Sequence, residues 1–199
     1  MLALLIIILS YVIGSISFSI IVGKLVGKVD IREHGSGNAG ATNALRVLGK
    51  GPAAIIFLLD VGKAVLAVLL AGRLMPDSPW IPVLCGVMVI VGHNWPVFFR
   101  FRGGKGIAST IGMVISLAPL AGVIAGSAAI AAIAATRYVS LGSLIFTGLL
   151  PVFVLVLDYP AELFWGTLAV AVLAWYRHRT NIAKLLKGTE NKLGGGKKS

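Results

Sequence analysis

The side chains in this sequence that could do chemistry fall in three short stretches. The first is Gly35-Ser36-Gly37-Asn38-Ala39-Gly40-Ala41-Thr42-Asn43, with Arg46 shortly after it. Glycines such as Gly35, Gly37 and Gly40 allow successive backbone N–H groups to converge on an anion. Ser36, Asn38, Thr42 and Asn43 add neutral hydrogen bonds, and Arg46 adds a planar charged fork. An ordinary glycine-rich turn is the competing reading. The second stretch, Arg100-Phe101-Arg102-Gly103-Gly104-Lys105-Gly106, places glycines on both sides of one ammonium at the expected start of a helix, where the dipole favours an anion. Interface anchoring explains Arg100 and Arg102 but explains the Gly103, Gly104, Lys105, Gly106 run poorly. In the third stretch, Arg177-His178-Arg179-Thr180-Asn181, His178 and Asn181 are three apart and share one face of a continuing helix. Ser140 and Ser143, beside Arg137, start another helix and can contribute hydroxyls. His93 reads as structural.

Two familiar phosphate motifs are excluded. Gly35-x-Gly37-x-x-Gly40 with Asp60 twenty residues on matches the dinucleotide fingerprint, but it follows an apolar run rather than a strand, and Asp60 lies inside the next apolar run. Gly106 stands where a Walker loop needs Ser or Thr, and no glycine precedes Gly104 by four.

The elements that must position these stretches are membrane helices. Of 199 residues, 57% are hydrophobic and 13% charged, against roughly 25% charged in an ordinary soluble domain. The net charge of +11 is confined to short connections between long apolar runs, so a basic nucleic-acid surface is not expected. The lone Cys85 excludes disulfides and a thiolate zinc site within one chain. The first apolar run, Leu2 to Val22, lacks a basic leader and reads as a retained helix. Further runs cover 52–72, 80–99, 107–135, 139–157 and 161–176.

Residues 107–135 are too long for one crossing of ~20 residues and contain Pro119. If this segment enters and returns, turning near Ala118 and Pro119, sixteen of the eighteen Lys and Arg residues share one side, as the positive-inside rule requires. The expectation is therefore an all-α, polytopic membrane protein of about seven transmembrane helices, with a short half-helix at 107–118 and no soluble domain. It forms a single membrane domain over 1–199, with cytoplasmic loops at 27–50 and 100–106 and a cytoplasmic tail at 177–199. Gly122 and Gly126 have the spacing of a close helix contact. Asp60 and Lys63 share a helix face and are expected to pair structurally near the site, with direct ligand contact as the other reading.

Only Asp30, Glu33 and Glu190 supply carboxylates on the cytoplasmic side, so a two-metal phosphotransfer site has no ligands. Metal-independent chemistry on phosphate-bearing substrates remains, with no metal and no cofactor expected. A transporter for an organic phosphate is the rival from another class, since glycine loops and broken helices also build anion sites. The basic stretches all on one face, with no visible inverted repeat, argue against it.

Taken together and in order, GSGNAGATNALR at 35–46, GHNWPVFFRFRGGKG at 92–106, RYVSLGS at 137–143 and RHRTNI at 177–182 resemble the acyl-phosphate:glycerol-3-phosphate acyltransferases, the bacterial PlsY family. The resemblance implies a seven-helix fold and transfer of a fatty acyl group from acyl phosphate to the 1-hydroxyl of glycerol 3-phosphate at the bacterial inner membrane. It further implies that Ser36, Arg46, Lys105, Ser143, His178 and Asn181 form a polar site for the phosphates. The enzyme that makes acyl phosphate would be a transient partner. None of His34, His93 and His178 is followed five residues later by Asp, so the His/Asp pair of acyl-thioester acyltransferases is missing.

Overall fold

The computed structural model describes residues 1–194 and is helical throughout, with no strand among the described residues. The chain divides into two compact units, Met1–Leu117 and Ala118–Ser199. The division falls at the turn expected near Pro119. Ala118, just before that proline, leaves the helical region (φ −148°, ψ 63°), and Pro119 opens the next helix, where its missing N–H costs nothing.

The first unit contains α1 (Leu2–Gly14), α2 (Phe18–Val26), α3 (Ala41–Val47), α4 (Lys50–Leu74), α5 (Trp80–Asn94) and α6 (Ile107–Leu117). α4 packs against α5 and α6, and α1 packs along α5. Close packing depends on glycines: a Cβ at Gly14 would strike the Val89 carbonyl, one at Gly92 the Tyr11 carbonyl, and one at Gly112 the Val61 carbonyl. The eleven residues of α6 rise only ~16 Å, about half of a ~30 Å hydrocarbon core, so it is the short half-helix expected.

One expectation is corrected here. The first apolar run is not a single helix but breaks between Gly14 and Phe18, where Ser17 adopts an extended conformation. The break leaves the Gly14 and Ile16 carbonyls without helical partners, and Lys63 of α4 takes both, at 3.0 and 2.9 Å.

The second unit contains α7 (Pro119–Thr136), α8 (Val139–Val156), α9 (Ala161–Arg177) and α10 (Arg179–Leu186), with α8 packed between α7 and α9. α7 and α8 approach where Gly142 sits against Ile133 and the Ala129 carbonyl. Gly126 does not serve this purpose, because a Cβ there would meet nothing within 4 Å; the buried stripe of α7 is Ala121, Ala125 and Ala129. Among the described residues five segments are long and apolar enough to cross a membrane: Leu2–Val26, Lys50–Leu74, Trp80–Phe99, Pro119–Thr136 and Val139–Val156. α6 and the seventeen-residue α9 fall short of that length.

Candidate active site

The glycine-rich stretch after α2 folds around Asn43, which is 1% exposed. Its Oδ1 accepts the Ser36 N–H at 2.7 Å, and its Nδ2 donates to the Ile31 and His34 carbonyls at 2.9 and 3.0 Å. Gly35 and Gly37 make this turn possible, at φ 62° and 72°; a Cβ at Gly35 would also collide with Asn43. Three of the N–H groups expected to converge on an anion are therefore taken up by the loop itself. The N–H groups of Ser36, Gly37 and Gly40 are bonded within the loop, to Asn43, the His34 carbonyl and the Asn38 carbonyl. Among its side chains, Ser36 and Arg46 are exposed and Asn38 and Thr42 half-buried. Among the described residues Arg46 has no hydrogen-bond or ion-pair partner.

The second stretch leaves α5 through a tight reversal. Arg100 and Phe101 take the left-handed conformation (φ 56° and 57°), the Phe101 N–H returns to the Pro96 carbonyl at 2.9 Å, and the Gly104 N–H returns to the His93 carbonyl at 3.0 Å. Gly103 and Gly104 are buried because neighbouring atoms fill the space where side chains would go: the His93 carbonyl at Gly103, and the His93 ring at Nε2 with the Ala39 carbonyl at Gly104. Ala39 belongs to the first loop, so the two glycine loops touch through their backbones at this point. Gly106, at φ 82°, turns the chain into α6, and its carbonyl accepts the Thr110 N–H at 2.8 Å. Lys105 stands half-buried between these glycines.

A second tie joins the loops. Asp30 caps the short 3₁₀ turn Ile31–Glu33 and grips Arg32 through Nε (3.0 Å) and Nη2 (2.7 Å), while Arg32 Nη1 donates to the Phe99 carbonyl at 3.0 Å. The guanidinium beside it lowers the Asp30 pKa from 3.8 to about 2. Opposite charges two residues apart, just ahead of the glycine loop, were the available signal for this clamp, and spacing alone does not reveal it.

In the second unit the chain does not continue as one helix through the third stretch. His178 closes α9, its N–H reaching the Ala174 carbonyl at 2.9 Å, and it also caps α10, its carbonyl accepting the Ile182 N–H at 2.8 Å. The imidazole is 3% exposed, and Nδ1 lies 2.8 Å from the Ala174 carbonyl oxygen. A carbonyl can only accept, so Nδ1 carries a proton; a neutral ring then has its lone pair on Nε2, whereas an imidazolium donates from both nitrogens. Asn181 Nδ2 donates to Glu190 Oε1 at 2.8 Å, an anchor that sequence reading missed. Buried Ser143 donates its hydroxyl proton to the Val139 carbonyl at 2.9 Å, which leaves the oxygen as an acceptor. Arg137 holds the Leu193 carbonyl through Nε and Nη2, at 3.1 and 2.7 Å, and Arg179 stacks over Tyr176 with its guanidinium carbon 4.6 Å from the ring centroid. Among the described residues no three His, Cys, Asp or Glu side chains gather as a metal site.

Asp60 and Lys63 form the expected pair at 2.8 Å, and His93 Nδ1 lies 3.2 Å from Lys63 Nζ. His93 thus has a structural place between this pair and the second loop.

An all-helical membrane architecture whose connections concentrate cationic and hydroxyl side chains defines an integral membrane protein with polar loops suited to anionic ligands. The glycerol-3-phosphate acyltransferase family model matches residues 4–188, and the chain belongs to that family. Similar proteins include the glycerol-3-phosphate acyltransferases of Halalkalibacterium halodurans, 55% identical over 93% of this chain and 92% of the relative, and of Shouchella clausii, 52% identical over 92% of each. The structure is also similar to a crystal structure of PlsY (YgiH), an integral membrane glycerol 3-phosphate acyltransferase, in its glycerol 3-phosphate form. The TM-score is 0.93 at 36% identity, covering 98% of this chain and 96% of that one. The family match sets aside the transporter reading.

Proposed function

We propose that this chain transfers a fatty acyl group from acyl phosphate to the 1-hydroxyl of glycerol 3-phosphate, giving 1-acylglycerol 3-phosphate and inorganic phosphate without a metal. The observation that carries the reading is the pairing of the two glycine loops in the first unit, one presenting Ser36 and Arg46 and the other Lys105. Solved relatives in glycerol 3-phosphate and lysophosphatidic acid forms support the acceptor and the product.

Acyl phosphate is a mixed anhydride, already activated for transfer. The hydroxyl oxygen of glycerol 3-phosphate attacks the acyl carbon, forming the ester C–O bond. The bond from that carbon to the phosphate oxygen breaks, and its electron pair leaves with inorganic phosphate. Two anionic substrates must first be brought together, so the protein's task is to offset their repulsion and orient them. Arg46 and Lys105 supply charge and Ser36 a hydroxyl, while Asn38 and Thr42 are further polar contacts. Gly35, Gly37, Gly40, Gly103, Gly104 and Gly106 shape the loops, and Asn43 holds the first of them closed.

His178, Asn181 and Ser143 serve as phosphate-binding groups of the second unit. A substrate phosphate oxygen, which can lie within hydrogen-bond reach of the attacking hydroxyl, takes its proton, and the transfer is direct because no covalent nucleophile with a base partner is evident among the described residues. The loops face the cytoplasm of a bacterial inner membrane, where the enzyme that makes acyl phosphate would be a transient partner.

The test is purified protein in detergent with both substrates and a chelator. Formation of 1-acylglycerol 3-phosphate is expected. Transfer from an acyl thioester but not from acyl phosphate would refute the donor, and activity restored only by a divalent metal would refute the metal-free step.

A further inference from the structure

Asp60, Lys63 and His93 form a buried cluster in the first unit, 1%, 5% and 5% exposed, that the proposed transfer does not use. Lys63 Nζ lies 2.8 Å from Asp60 Oδ1, 3.0 and 2.9 Å from the Gly14 and Ile16 carbonyls, and 3.2 Å from His93 Nδ1. His93 Nδ1 also lies 3.4 Å from Asp60 Oδ1, so it either accepts from the ammonium or donates to the carboxylate, and in both cases the pair holds the Nδ1 edge of the ring. The Nε2 edge packs directly on Gly104, where a Cβ would collide with it. The His93 main chain holds the same residue, its carbonyl accepting the Gly104 N–H at 3.0 Å. Gly104 is therefore gripped from ring and backbone together, and the next residue is Lys105.

We propose that Lys63 and Asp60 are positioning residues that act through His93: they fix the imidazole, the imidazole fixes Gly104, and Gly104 sets the direction in which Lys105 leaves the loop. This rests on the reading that Lys105 binds a substrate phosphate. A pair that merely neutralised two buried charges would be replaceable by apolar residues of similar volume, often at little cost in stability. Under the proposal that same replacement keeps the fold and loosens the loop.

The experiment compares wild type with Lys63→Met, the double variant Asp60→Leu with Lys63→Met, His93→Asn and His93→Gln, all in detergent. The double variant leaves no unpaired buried charge, so it keeps the test decisive if Lys63→Met fails to fold. Hydrogen exchange of the peptide spanning 100–106 is read by mass spectrometry, alongside KM and kcat for both substrates.

In the double variant, exchange at Gly104 should accelerate about tenfold, as for the loss of one buried hydrogen bond, with α5 and α6 unchanged and any change in the first segment confined to the break at 14–18, whose carbonyls lose Lys63. KM for a phosphate-bearing substrate should rise by a similar factor while kcat stays within about twofold. His93→Gln, whose amide reaches the Nε2 position against Gly104, should lie closer to wild type than His93→Asn, whose amide reaches only the Nδ1 position. Unchanged loop exchange and KM in the folded double variant would overturn the proposal, and so would exchange raised uniformly along the unit. If wild type transfers no acyl group, the functional reading fails, but the exchange measurement still decides the positioning claim.

Discussion

Replacing Arg32 by alanine removes one of the two ties between the glycine loops and leaves Asn43, Gly104 and Lys105 untouched. In the intact protein the Arg32 guanidinium grips Asp30 through Nε and Nη2 and donates from Nη1, at 3.0 Å, to the Phe99 carbonyl. A hydrogen bond from a charged donor is worth ~1.5–3 kcal/mol when well shielded. The Arg32 and Asp30 side chains are 17% and 18% exposed, so solvent reduces the link to Phe99 to about 1 kcal/mol. If that link holds the loops in register, kcat/KM should fall roughly fivefold in Arg32→Ala. Arg32→Lys should recover only part, since an ammonium cannot hold Asp30 by a fork and reach Phe99 as well.

The assay is initial rates over both substrates, with melting in detergent as the check on folding. A kcat/KM within twofold of wild type in folded Arg32→Ala would refute the idea that this tie matters to the site. The pH arm has a defined sign. The folded Asp30 pKa, lowered from 3.8 to about 2, gives a stabilisation fully present above pH 4 and lost as pH falls through that window. The melting difference between wild type and Asp30→Asn should therefore stay constant from pH 8 to pH 5 and shrink below pH 4. A difference that changes near neutrality would implicate another group.

Arg46→Ala and Lys105→Ala should each lose roughly ten- to a hundredfold in activity with the fold intact, as expected for a charge-assisted phosphate contact of ~1.5–3 kcal/mol; near-normal turnover at low substrate would contradict the assignment. Arg179→Ala should be milder, because its guanidinium is spent on the Tyr176 ring and carbonyl. His178→Gln should retain more activity than His178→Ala if His178 binds phosphate. Equal and near-total loss in both, with a basic limb near the histidine pKa in wild type alone, would instead make it the base. In a Cys85-free variant, an impermeant thiol reagent outside intact cells should label a cysteine placed at position 76 and spare one at 190; strong labelling at 190 would refute the paired crossing of 107–135.

What the sequence revealed depended on how local the cause was. Pro119 announced the end of α6, since the residue before a proline avoids helix, and the glycines around Lys105 announced the loop that precedes it. Asp60 and Lys63 could be paired from a spacing of three. The break between α1 and α2 was not legible, although Gly14, Ser15 and Ser17 are residues at which helices kink, because its main support is a lysine 49 residues from Gly14 in sequence. The inward turn of the first loop was also hidden. Glycines permit an outward cradle or a closed turn equally well, and Asn43, a residue that reads as a ligand donor, decides for the closed turn by bonding three backbone groups. At His178 the i, i+3 spacing was right, but the helix pauses there, which periodicity does not register.

The lysine seated in the helix break also bears on how the chain enters a membrane. A lysine at mid-helix costs about 2.5–3.5 kcal/mol on insertion. Asp60 adds a second charge to the same α4, so that segment inserts unaided against a penalty. Two of the groups that receive Lys63, the Gly14 and Ile16 carbonyls, lie 49 and 47 residues earlier and so leave the ribosome first. α4 is apolar enough to cross a membrane as a whole, and an N-terminal segment already in place and already broken lowers the cost of its lysine. A substitution that straightens the first segment into one continuous helix, such as alanine at Ser15 and Ser17 together, would withdraw those carbonyls into their own helix. The defect would then appear at the translocon, as less efficient integration of α4, before any fault in the folded protein could be measured.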